Sequence, residues 1–136
     1  MFDSRETYRF YAVAAWRNLL KQGGRPSFVG FDEAGSQFPE ALWLARTFPD
    51  ARLVLRCNNQ SGQVAAARAG CGIAMLPCFI AAGDPALVDL TLPQAPPARE
   101  LWLLSRRDMQ RTPRIRAVVD FLLDLIRREK ALFERE

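Results

Sequence analysis

The chain has no histidine among its 136 residues, and that absence removes most nucleophilic and metal chemistry. There is no Ser-His-Asp or Cys-His pair, no His-ligated zinc and no imidazole to act as general acid or base. Lys21, Lys130 and the neighbours Asp32 and Glu33 remain for proton transfer. Side chains one residue apart diverge on a strand or a helix, so that carboxylate pair is poorly built to share a proton. Cys57, Cys71 and Cys78 are odd in number and lack CxxC spacing. They read as buried, reduced thiols of a cytoplasmic protein, and no activating cation can be placed beside them. The expectation is a protein that is not an enzyme, with no catalytic residue, metal or cofactor.

Binding chemistry is what remains. Residues 58–77 read NNQSGQVAAARAGCGIAMLP: a polar turn, a short helix, a glycine stop and a buried strand. Ser61 suits the N-cap, where its hydroxyl can accept from an orphan amide one turn ahead. Residues 64–68 are mostly alanine, the best helix former, and Gly70 can adopt the left-handed conformation that ends a helix. The apolar run 72–76, closed by Pro77, suits a strand covered on both faces. In open α/β sheets ligands sit beyond the carboxyl ends of strands, where helix N-termini offer free amides. That edge would hold three loops, 31–36, 58–61 and 77–79. The candidate ligand-binding residues are therefore Phe31, Asp32, Asn58, Asn59, Ser61, Pro77 and Phe79. Asn58 and Ser61 suit plain helix capping equally well. Asp32 and Glu33 fit a solvated loop with local amide bonds, and Phe79 fits a core position.

These loops need a scaffold, and the rest of the chain describes one. Composition is that of an ordinary globular domain, 49% hydrophobic and 25% charged, long enough to bury a substantial core. No apolar run approaches the roughly 20 residues of a membrane span, and residues 1–10 carry acids where a secretory signal would be apolar. Residues 27–31, 52–57, 87–92 and 100–105 read as strands. An amphipathic helix follows Pro39 and stops before Pro49, and a shorter one covers 78–82. Residues 5–22 fit either one helix or a strand followed by a helix. Thr112 and Pro113 open a terminal helix over 112–127. Its apolar stripe of Ile115, Val118, Val119, Leu122, Leu125 and Ile126 leaves Phe121 and Leu123 outside. A helix greasy on more than one face should be covered by its own sheet and by a partner chain. The arginines of the last third are mixed with acids, so they read as a solvated face and not as a nucleic-acid footprint. Alternating strands and helices predict an α/β fold with a mostly parallel central sheet flanked by helices.

The order of these segments resembles the effector-binding domain of LysR-type transcriptional regulators. The polar turn followed by AARAG-x-GIAxLP resembles the second half of that domain. FVGFDE at 28–33 resembles the strand and loop that open its smaller lobe. Trp43, Leu44 and the turn at 48–51 resemble the helix and turn that follow, while ELWLLS at 100–105 and residues 112–126 resemble its closing strand and terminal helix. The resemblance covers about 28–127, more weakly 8–26, and favours strand then helix for the first segment.

The resemblance implies a two-lobed, periplasmic-binding-protein-like fold with a small effector, commonly a carboxylate or aromatic acid, in the cleft between lobes. Asn58, Asn59 and Ser61 match positions that often contact effectors in the family. Residues 25–98 would be the complete smaller lobe, 8–14 and 100–105 the hinge strands, and 112–127 the C-terminal helix of an incomplete second lobe. Residues 1–136 would thus be one truncated domain without the family's DNA-binding helices, dimerising with itself or with a full-length regulator. It should not read an operator specifically or engage a membrane. The loop after the FVGFDE strand holds Ala34, Gly35 and Ser36 and no thiol, so peroxide sensing is not implied there. Two other functions fit the same fold: an exported solute-binding protein, and a dimerisation remnant without a ligand.

Overall fold

A computed structural model of the protein describes residues 4–134. Strand β1 (Ser4–Glu6) leads into β2 (Tyr8–Ala12) and helix α1 (Ala14–Lys21), so residues 5–22 are strand, then helix. Next come β3 (Ser27–Phe31), α2 (Pro39–Thr47), β4 (Arg52–Cys57), α3 (Gln60–Arg68) and β5 (Ile73–Pro77). The chain ends with α4 (Cys78–Ala81), β6 (Val88–Leu90), β7 (Arg99–Leu101), α5 (Pro113–Arg128) and α6 (Lys130–Phe133). No helix among the described residues is long and apolar enough to cross a membrane.

Five strands form the central sheet in the order β4-β3-β5-β2-β6. The expected mostly parallel sheet is instead mixed. β3 pairs parallel with β4 and β5, whereas β2 pairs antiparallel with β5 and β6. One reversed strand is responsible. The connections through α2, α3 and α4 keep β3, β4, β5 and β6 running one way, and β2 is inserted between β5 and β6 in the other sense. An apolar run shows that a strand is covered on both faces but not which way its neighbours run. The insertion also turns the amino end of β2 toward the carboxyl ends of β3 and β5, where Tyr8 is paired with Pro77.

Alternation along the strands feeds two cores. Phe10, Phe28, Ile73 and Met75 meet Leu44 of α2 on one face, with Trp16, Leu20, Trp43 and Phe48 packed around them. Tyr11, Val29, Ala74 and Leu76 meet Ala66 and Ala67 of α3 and Ala81 of α4 on the other. Small residues on α3 let that helix lie close to the sheet. Gly70 ends it at φ +81°, the left-handed stop expected there. At Gly72 a Cβ would lie 2.8 Å from the Ser27 carbonyl oxygen, so β5 needs a glycine to approach β3.

The C-terminal third departs most from expectation. Only Arg99–Leu101 forms a strand in the region 100–105, pairing with β1 in a two-stranded ribbon. Beyond it the apolar run continues without a ladder partner, and Leu104 is 83% exposed. Helix α5 begins at Pro113 as expected, but Thr112 makes no side-chain cap bond. No residue of α5 is buried, so the sheet does not cover its apolar stripe. Its C-terminal continuation is better anchored: the Thr7 amide donates to the Phe133 carbonyl at 2.9 Å, and the Phe133 ring lies 4.9 Å from Phe79.

Candidate functional site

The carboxyl ends of β3 and β4 carry the two loops that build a cleft of about 250 Å³, near the small end of ligand pockets, which run roughly 300–1,000 Å³. From the first loop come Phe31 and Asp32, and from the second Asn58 and Asn59. The Asp32 carboxylate accepts from the Gly35 amide at 3.0 Å, a local bond that shapes the loop. Gln63 of α3 is buried and donates to the Gly30 carbonyl at 3.3 Å, tying helix to strand at the cleft floor. The apolar side is made by Phe31, Phe38 and Met75.

Helix α3 starts at Gln60, earlier than the alanine run alone indicates, so its N-cap is Asn59 and not Ser61. The Asn59 Oδ1 accepts from the Gly62 amide at 2.6 Å, and its Nδ2 donates to Asn58 Oδ1 at 2.8 Å. Asn and Ser cap about equally well, so a turn holding both leaves the choice to the helix start. Asn59→Ala should cost about 1 kcal/mol of stability, and Ser61→Ala less than about 0.5 kcal/mol. Denaturant midpoints of the two variants check this, and equal losses would contradict the assignment.

Four predicted residues, Phe31, Asp32, Asn58 and Asn59, share the cleft. Three others lie apart from it. Ser61 is exposed in the first turn of α3, Pro77 is buried at the end of β5, and Phe79 packs on Phe133. Sequence reasoning missed Tyr8, Glu40, Gln63 and Arg99, which add the other polar groups of the wall and floor. Glu40 is in the first turn of α2, where an acid is ordinary, and nothing local marks Arg99. Only Tyr8 carried a signal, at the head of a β-rich aromatic run.

These residues form a charged cluster at the cleft wall. The Arg99 Nε lies 2.9 Å from Glu40 Oε1, an ion pair without hydrogen-bond alignment, since that oxygen is buried and accepts no hydrogen bond. The Tyr8 hydroxyl, which Arg99 acts on electrostatically, donates to Glu6 Oε2 at 3.4 Å. Burial, helped by the charges of Glu6 and Glu40, pushes the Tyr8 phenol up to about 12. It also pushes the Glu6 carboxyl above its ordinary 4.5, against the pull of Arg99 and of the Tyr8 hydroxyl. Cys57, at the cleft floor, has its thiol pushed up by burial, then by the charge of Asp32 and by Cys71. It therefore stays protonated and a poor nucleophile.

A raised folded pKa means the folded chain keeps the Glu6 proton where the unfolded chain has released it. Its contribution to stability is full below the ordinary 4.5 and is lost as pH rises through the raised value. Glu6→Gln cannot ionise and escapes that loss. The stability of the variant relative to the parent should rise as pH climbs above the ordinary 4.5. Urea titrations at several pH values measure it, and a flat or falling difference would contradict the assignment.

Two other clefts are clearly larger, and a third, beside Phe28 and Phe48, is about the same size at 260 Å³. One of about 320 Å³ lies between β2, β6 and the connector to β7, and its charges, Arg9 and Asp89, satisfy each other at 2.7 Å. The other, about 640 Å³, is an open trough beside α5. Neither gathers strand-end loops.

No curated protein matches the chain significantly. The family described as LysR substrate binding domain matches residues 8–127, most of the chain. Domains of this family are regulatory rather than catalytic. With its α/β lobe and strand-end cleft, the chain belongs to the LysR substrate-binding domain family, the effector-binding domain of LysR-type transcriptional regulators.

Proposed function

We propose that this chain is the effector-sensing part of a cytoplasmic LysR-type regulator, binding a small carboxylate-bearing molecule in an interlobe cleft. The carrying observation is that Phe31, Asp32, Asn58 and Asn59, from two strand-end loops, line one cleft with Tyr8, Glu40 and Arg99. The ligand carboxylate would sit on the Asn58 and Asn59 side chains and the open amides at the start of α3, where the helix dipole favours negative charge. Residues 25–98 serve as the sensing lobe, residues 8–14 and 100–105 as hinge segments, and α5 as part of the second lobe. Operator reading is left to a separate domain.

Binding to the folded state alone must raise stability, by about 2.7 kcal/mol when ligand exceeds Kd a hundredfold. Thermal shift against a panel of small aromatic and aliphatic carboxylates tests the reading. A shift that Asn58→Ala weakens supports it, and no shift from any compound counts against it.

A dimer is the second part of the proposal, favoured by α5, where Val118 and Phe121 are exposed on a helix with no buried residue. Light scattering should give about twice the 15.4 kDa of one chain. A dimer that shifts with no ligand would favour the interaction role without an effector.

A further inference from the structure

The charges around the cleft do not balance. Among the described residues its lining includes two carboxylates, Asp32 and Glu40, and one cation, Arg99. Glu40 is 2% exposed, and Glu6, in the same cluster, is 9% exposed. Arg99 is already committed to Glu40 at 2.9 Å. Asp32 is met only by a neutral amide, that of Gly35 at 3.0 Å, and no cation pairs with it among the described residues. Burying carboxylates in excess of their counter-charges is costly. A simple anion entering here would meet the unpaired charge of Asp32.

We propose that the effector carries a cationic nitrogen beside its carboxylate, as a small α-amino-acid-like zwitterion does. This rests on the reading of the cleft as the effector site and names the class of molecule it takes. The ammonium sits against Asp32 and the Glu40 wall and supplies the missing positive charge. The carboxylate sits at the opposite pole, on Asn58, Asn59 and the start of α3. The apolar surfaces of Phe31, Phe38 and Met75 take a side chain of moderate size. A site built around a polar partner rejects analogues lacking it far more strongly than an apolar pocket rejects a missing methylene.

Calorimetric titration of the full chain with the standard L-amino acids tests this, each set against its des-amino carboxylic acid, as L-leucine against 4-methylpentanoate. The expected result is at least one amino acid that binds ten times or more tighter than its des-amino analogue. Asp32→Asn should erase most of that ratio. Should that variant fail to fold, Glu40→Gln reports the same loss. A des-amino acid that binds as tightly as its amino acid overturns the zwitterion and leaves the small-ligand reading intact. Binding of simple carboxylates with no amino acid bound does the same. If nothing in either set binds, the effector cleft and the zwitterion fall together.

Discussion

Arg99→Ala should lower the unfolding free energy by about 2–3 kcal/mol, out of proportion to a half-exposed arginine. Ordinary surface ion pairs contribute about 0–1 kcal/mol. Here the side chains are 45% exposed on Arg99 and 3% on Glu40, so losing the guanidinium strands a buried carboxylate. Removing one partner of a fully buried pair costs about 3–5 kcal/mol, and solvent reaching Arg99 through the cleft reduces that figure. The Arg99→Ala/Glu40→Gln double variant tests the cause, because Glu40 then carries no charge to be stranded. It should recover more than half of the loss. Equal loss in the single and double variants, measured by urea unfolding, would show that the pair itself contributes little. Arg99→Ala should also disturb the cleft, since Arg99, Glu40 and Tyr8 share its wall.

Phe10→Ala should cost about 3–5 kcal/mol, the range for emptying a large aromatic position in a packed core. Phe10 is 1% exposed on β2, with its ring centroid 6.0 Å from Phe28, 6.0 Å from Trp43 and 5.9 Å from Phe48. It therefore joins β2, β3 and α2 across one face of the sheet, and its loss leaves a cavity that three elements must collapse to fill. Total stability of a domain is about 5–15 kcal/mol, so this one change could leave the chain near its folding threshold. Phe121→Ala is the contrast. That ring is 59% exposed on α5, and its loss should cost less than about 0.5 kcal/mol in the isolated chain. A large cost there would mean that a partner or a second copy covers α5.

The fold was legible wherever a segment's pattern and its punctuation agreed. Strands 27–31 and 52–57 occupy the spans expected for them, because apolar, β-rich runs were bounded by proline, glycine or polar turns. Gly70 stops α3 for the local reason given by its φ of +81°. Mistakes arose where two neighbouring residues suited one role equally well, or where the answer depended on a distant neighbour. Ser61 lost the cap to Asn59 because the helix extends to Gln60. The run 100–105 looked like a full strand, yet of it only Glu100 and Leu101, with Arg99 before them, find a ladder against β1.

The sequence by itself determined most of the segments that are strands or helices, and the two loops at the cleft. Each of these follows from residue type and short-range spacing. Tertiary structure alone decided the direction of β2, and with it the meeting of Tyr8, Glu40 and Arg99 with Asp32 and Asn58. The Arg99–Glu40 pair spans 59 positions in the chain, and no local periodicity encodes such a distance. Long-range sheet pairing brings these groups together, and burial then makes an ordinary arginine and glutamate the charged wall of the candidate cleft.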